Sequence, residues 1–260
     1  MAKITYSGVE ITSEFTTKSG ELNSGESIGE LFGKTAGHIA DGDIHVTAEE
    51  KAGWNALSNP NLLINSDFRI NQRGKSVYHN EGFSQYTVDR WFLQEWYTKL
   101  TVTDSGVRVE LDSEADRAIA LYQVLRGAKI QYGECYSLSV KNGGKLYSAS
   151  GVINSTSDKV EHWDGQFHFV AGYSDSAGSW VVNLISDHGA PLELEWVKFE
   201  LNTKPTKYLA PDSTLELAKC QRYYQIRSTG DIDPVDLRPN MGTITDIIAV
   251  EGGYAYVAEL

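Results

Sequence analysis

The sequence predicts a mainly β protein: an antiparallel jelly-roll sandwich, with short N-terminal helices before it and a C-terminal helix plus β-hairpin after it. Three observations carry this. Eight or nine short apolar runs, separated by turn residues and with no helices interleaved, fill the middle of the chain. Two of them alternate with period two, Tyr136-Ser137-Leu138-Ser139-Val140 and Leu192-Glu193-Leu194-Glu195-Trp196-Val197-Lys198-Phe199. Asn142-Gly143-Gly144 joins two runs with the residues a hairpin turn requires.

In chain order, residues 1–60 come first as an attachment or oligomerisation region. They hold four Lys against nine acidic residues, and the small polar stretch 16–25 is too poor in large apolar side chains to close a core alone. Two short helices are legible there. One covers 24–34, with Ile28, Leu31 and Phe32 on one face. The other follows a capping box of Thr47 and Glu50 and carries Trp54 and Leu57. Helices this short need a partner surface, so these five apolar residues are the candidate oligomer interface.

The breaker cluster 58–61 opens the sandwich, residues 61–209. Strands are predicted over 62–70, 86–100, 107–111, 118–125, 136–141, 145–153, 166–171, 180–185 and 192–201. The prolines at 205 and 211 close the sandwich. Residues 210–260 then give a helix with a capping box of Ser213 and Glu216, and with Leu217, Cys220 and Tyr224 on one face. A hairpin of 243–250 and 254–260 follows, whose last strand would leave an open edge.

Composition excludes several classes. Charged residues make up 22% of the 260 and hydrophobic residues 41%, a balance that can build a core. Mean hydropathy is −0.34, and no apolar run approaches the ~18 residues a membrane helix needs. The net charge of −12 argues against a nucleic-acid partner. Two cysteines, Cys135 and Cys220, do not make a disulfide scaffold. The N-terminus lacks the apolar core of a secretory signal peptide.

Enzyme signatures are weak. Gly74-Lys75-Ser76 ends like a phosphate loop, but Arg69 occupies the position that requires glycine. Asp112, Glu114 and Asp116 are carboxylates of the type a glycosidase uses, yet they follow a strand and read as a solvated turn. His38 and His45, and His162 and His168, lack zinc-ligand spacing and read as hydrogen-bonded structural residues. No cofactor is expected.

Aromatic side chains are the better candidates, because sugars stack their C–H faces on Trp and Tyr and hydrogen-bond to flanking polar groups. Trp163 with Asp164 sits in a polar, turn-like stretch and reads as either a sugar contact or a subunit contact. Trp96 with Tyr97, and Tyr173 with Asp175, are secondary candidates. Trp91, Phe92 and Trp196 read as core, while Tyr223 and Tyr224 read as helix residues docking onto the sandwich or a neighbour.

Two stretches carry a resemblance. Residues 38–56 resemble a connector segment of structural proteins from phages and prophages of Gram-positive bacteria. Residues 61–74, then Tyr86-Thr87-Val88-Asp89-Arg90-Trp91, are similar to the opening of phage tail-fibre domains. Leu194–Lys198, Cys220–Tyr224 and Leu237–Pro239 follow in the same family order. The resemblance implies a tail-fibre subunit of a virion or phage-tail-like particle, made in the bacterial cytoplasm and homotrimeric. It would contact other tail proteins and adsorb to host cell-surface polysaccharide without catalysis. It also implies a possible structural calcium, with Asp67 or Glu200 as contributor. A pure collar or baseplate scaffold and a glycan depolymerase are the alternatives.

Overall fold

The computed structural model describes residues 4–6, 9–11, 60–80, 85–94, 97–112, 117–126, 130–174, 176–228 and 244–258. The chain divides into two units, Met1–Ser58 and Asn59–Leu260. In the first, β1 (Ile4–Tyr6) pairs antiparallel with β2 (Val9–Ile11), a hairpin that the sequence reading did not assign. The two helices expected there lie outside the described residues, and with them Ile28, Leu31, Phe32, Trp54 and Leu57.

The second unit is the predicted antiparallel sandwich. Sheet I holds, in spatial order, β10 (Lys145–Ile153), β9 (Glu134–Asn142), β14 (Leu192–Leu201), β7 (Gly106–Leu111), β6 (Thr98–Thr103) and β3 (Val77–Asn80). Sheet II holds β11 (Lys159–Asp164), β12 (Phe167–Ser174), β13 (Ser179–Ser186), β8 (Ile119–Val124), β5 (Phe92–Leu93) and β4 (Gln85–Tyr86). Side chains alternate across each strand, so one face of each sheet is buried between the layers. Leu100, Val109, Leu138, Val140, Val197 and Phe199 come from sheet I; Leu93, Ile119, Leu121, Phe169, Val182 and Leu184 come from sheet II. All twelve are fully buried. At ~25 cal/mol per Å2 of apolar surface, this layer is the main stabilising contribution.

β14 departs from strict alternation. Its register shifts between Leu194 and Trp196, where a β-bulge inserts one extra residue. Leu192 and Leu194 point inward before the bulge, and Val197 and Phe199 after it. Trp196 therefore moves to the outer face and stacks on Tyr208 at 4.5 Å and 6°. This corrects the reading of Trp196 as core: period two holds only while the ladder is unbroken.

The predicted strand 62–70 is absent. Its apolar residues lie on an irregular segment wedged between the sheets, which makes two backbone bonds to β14, Leu62 N to Phe199 O and Val197 N to Ser66 O, and is otherwise held largely by side chains. The Asn61 side chain donates to Val197 O (2.8 Å) and accepts from Phe199 N (3.0 Å), filling the side of β14 beyond Leu194, where its pairing with β7 has ended. Gln123 of β8 accepts from Ile64 N and donates to Ile64 O, at 2.8 and 2.7 Å. Asn65, with φ 54°, donates to Ile70 O and Asp89 O and accepts from Ile70 N. Phe68, at φ 62°, packs its ring on Trp91 at 4.8 Å, and that burial offsets an unfavourable backbone conformation. Asp89 receives two bonds from Gln72, and burial pushes its carboxyl pKa up despite them.

The single strand predicted over 86–100 is broken by a turn in which Trp91 N donates to Val88 O and Thr87 N to Trp91 O. Trp91 is core, as read, but Phe92 faces outward beside inward Leu93.

At the C-terminal end, α1 (Ser213–Gln221) is capped by Asp212, whose carboxylate accepts from Thr214 N and Leu215 N. Ser213 is not the cap, and Glu216 does not close a capping box. Its carboxylate is buried, accepting from Asn65 N and pairing with Lys219. The helix ends before Tyr223 and Tyr224, which corrects their placement on it. Tyr224 opens β15 (Tyr224–Ser228), and β15, β17 (Gly253–Val257) and β16 (Asp246–Val250) form a sheet in that order. The hairpin forms as read, but β17 is the central strand, so the last strand is not an open edge. Arg90 ties this region to the sandwich: its guanidinium donates to Val124 O (2.7 Å) and lies over the Tyr223 ring at 3.7 Å.

Candidate functional site

The sandwich has two outer faces, and they differ in what covers them. On sheet I, the segment after β14 lies across the strands. Ser137 Oγ donates to Asn202 O at 2.9 Å. Lys198 Nζ donates to Thr206 Oγ1 and to Lys207 O and pairs with Glu200 at 2.9 Å. Glu200 also accepts from Thr206 N and Oγ1, at 2.8 and 2.6 Å. Both charges are buried, and each has the partners that make burial tolerable. Glu200 is thus engaged with an ammonium and a hydroxyl, and Asp67 with Arg69 at 2.6 Å. Among the described residues no group of three His, Cys, Asp or Glu gathers for a metal. His162 and His168 do not converge: His162 stacks on inward Phe169 and His168 on outward Trp163.

The outer face of sheet II holds the candidate site. The ladder registers align Trp163, His168, Ile185 and Ala120 in one row, and Glu161, Val170, Asn183, Tyr122, Phe92 and Tyr86 in the next. Residues paired across strands share a face, so both rows lie on one surface. Trp163 is 64% exposed and lies flat on the His168 ring at 4.0 Å and 16°. Across the sheet, Tyr86 meets Phe92 at 4.8 Å and Phe92 meets Tyr122 at 4.7 Å.

Two polar atoms just beneath this face, His168 Nδ1 and Asn183 Oδ1, are enclosed from solvent and have no hydrogen-bond partner. Asp187 Oδ2 stands 3.5 Å from His168 Nδ1, beyond a good hydrogen bond. Burial pushes the His168 pKa down, against the pull of the Asp187 and Glu161 charges. The imidazole is therefore neutral at pH 7, a flat uncharged support for the Trp163 ring. Burial, then the neighbouring Tyr86, pushes the Tyr122 hydroxyl up to about 12, so it stays a donor.

The other predicted sugar contacts do not join Trp163. Asp164 points to the opposite side of β11 and pairs with Lys145 at 3.0 Å. Tyr173 is on the inner side of β12, edge-on to Trp180 at 6.1 Å. Tyr97, at φ 58°, precedes β6 in the other sheet, with Arg117 5.8 Å from its ring. Trp96 and Asp175 lie outside the described residues. The polar stretch read as a turn around Trp163 is edge strand β11, with its turn at 165–166. His168, Asn183, Tyr122 and Phe92 were missed, because only cross-strand pairing brings them together. Of the acidic cluster, Asp112 pairs with His79, and Glu114 and Asp116 lie outside the described residues. A separate cleft of about 160 Å3 lies at the turns beside Gly143 and Glu195, with no aromatic residue in its lining.

No family model and no curated protein matches the chain. Among solved structures it is similar to CBM29_1, a family 29 carbohydrate-binding module from Piromyces equi. That match has 13% identity over 49% of this chain and 93% of that one, with a TM-score of 0.24. A score this low carries no argument, and the site is read from its own geometry.

Proposed function

We propose that the chain is a non-catalytic glycan-binding subunit of a phage tail fibre or phage-tail-like particle, with the outer face of sheet II as its contact surface for host polysaccharide. The observation that carries the binding role is Trp163: a largely exposed indole, held flat by His168. Such a ring offers a sugar a stacking plane at little ordering cost. The fibre role is supported by the motifs that run from residue 38 to 239 in family order. In a homotrimer, three weak sites would act together through avidity.

Binding of the intact protein to a host-polysaccharide array, lost in Trp163→Ala with an unchanged melting curve, is the expected result. Retained binding in that variant would overturn the assignment of the face. Release of new reducing ends would replace adsorption with cleavage. Light scattering measures the oligomer.

A second reading, a purely structural collar or baseplate subunit, draws on β16, where Ile247 and Ile248 are 51% and 47% exposed on adjacent, opposite-facing positions. Capture of another tail protein without any glycan binding would favour it.

A further inference from the structure

We infer that the face recognises an internal stretch of a neutral linear polysaccharide lying across the strands, rather than a single terminal sugar. This rests on the proposed glycan-binding role and goes beyond it to the form of the ligand.

The outer face of sheet II carries two separate ring platforms. Trp163 on β11 and His168 on β12 make one; Tyr122 on β8, Phe92 on β5 and Tyr86 on β4 make the other. Strand order places β13 between β12 and β8. With neighbouring strands ~4.8 Å apart, β11 and β8 are separated by roughly 14 Å, and the full row from β11 to β4 by roughly 24 Å. One sugar ring can cover one platform only; a chain can cover both.

The ground between the platforms suits a sugar chain. Val170 and Ile185 are half-buried and apolar, and half-buried Asn183 lies between Val170 and Tyr122. Gly172, beside Val170 on the same face, adds no side chain to obstruct the path.

Charge selects the ligand class. Lys159 and Glu161 pair at 2.7 Å at one end, with Asp187 near His168. Arg73 lies 5.8 Å from the Tyr86 ring at the other end. The described residues of the middle carry no charge, and the whole chain carries −12. A polyanion gains nothing in the middle and is repelled overall, whereas an uncharged chain matches the surface.

Titration calorimetry of the intact protein against glucan, mannan and N-acetylglucosamine ladders, from the monosaccharide to the hexasaccharide, tests this, with hyaluronan as the polyanion. In a series that binds, affinity should rise about 100-fold from monosaccharide to hexasaccharide, as linked sites require. Trp163→Ala and Phe92→Leu should each remove most of that gain; the second keeps apolar packing, and a melting curve checks both folds. Equal affinity for monosaccharide and hexasaccharide would overturn the inference while leaving glycan binding intact, as would preference for hyaluronan. No binding in any series would overturn the glycan-binding role and this inference with it.

Discussion

Two tryptophans lie flat against a neighbouring ring on the two outer faces of one sandwich, and they meet different fates. Trp196 on sheet I stacks on Tyr208, which belongs to the segment that crosses the sheet. Trp163 on sheet II stacks on His168, which belongs to the adjacent strand, and its other side is open. The difference lies in the partner. A partner from a crossing segment covers the indole, whereas a partner from within the sheet only supports it. On sheet I the crossing segment covers β14 and part of β9, with a buried ion pair beneath it, while Leu146 and Val152 of β10 stay exposed; sheet II leaves the free side of the Trp163 ring for something outside the chain.

The sharpest test of the covered face is Glu200→Ala. It leaves the Lys198 ammonium buried without its carboxylate, and losing one partner of such a pair costs about 3–5 kcal/mol. Urea denaturation measures it, and a loss below ~1 kcal/mol would break the description of a closed face. Asn65→Ala strikes the wedge beneath both faces. It unpairs three backbone groups and forces alanine into a left-handed conformation, at a cost of about 2–4 kcal/mol.

Tyr208→Ala opens the closed face, at about 1–3 kcal/mol from lost ring area and stacking. Acrylamide quenching should then reach Trp196, yet no glycan binding should appear there, because its cross-strand neighbours on that face are Lys141 and Leu146 rather than further rings. Gained binding would mean that an exposed indole on an outer face suffices. Trp163→Ala should shift stability by no more than about 0.5 kcal/mol, since the residue is largely exposed, while abolishing binding.

How far the sequence could reveal this division depends on distance along the chain. β10 and β14 were legible to their end residues, because alternation is a local signal. Trp196 was misread since a single bulge inverts every later position, and nothing in Leu-Glu-Leu-Glu-Trp announces it. Residues 62–70 have strand composition, but the side chains of Asn61, Asn65 and Gln123 take several of their backbone groups, and Gln123 comes from a distant strand. β11 was hidden because an exposed edge strand carries polar residues on both sides. Trp163 was found by its local context. Its companions come from β12, β13, β8, β5 and β4, and the β13–β8 pairing that joins them links segments more than fifty residues apart.

The smallest expected effect isolates the open face from the closed one. Burial lowers the His168 pKa below its ordinary 6.5, so the unfolded chain binds this proton more readily than the folded one. Stability from this group is fully present above about pH 6.5 and is lost as pH falls through the lower folded value. Protonation also places a partly buried charge against the Trp163 ring that forms the stacking plane. Glycan affinity should therefore fall together with the melting temperature between about pH 7 and pH 5, and His168→Phe, which keeps a ring beneath Trp163, should flatten the profile. Asp187 and Glu161 oppose the shift by favouring the imidazolium, so Asp187→Asn should move the wild-type profile to lower pH. If the profile keeps its slope in His168→Phe, the titrating group lies elsewhere, and the supporting imidazole is only a ring for Trp163 to rest on.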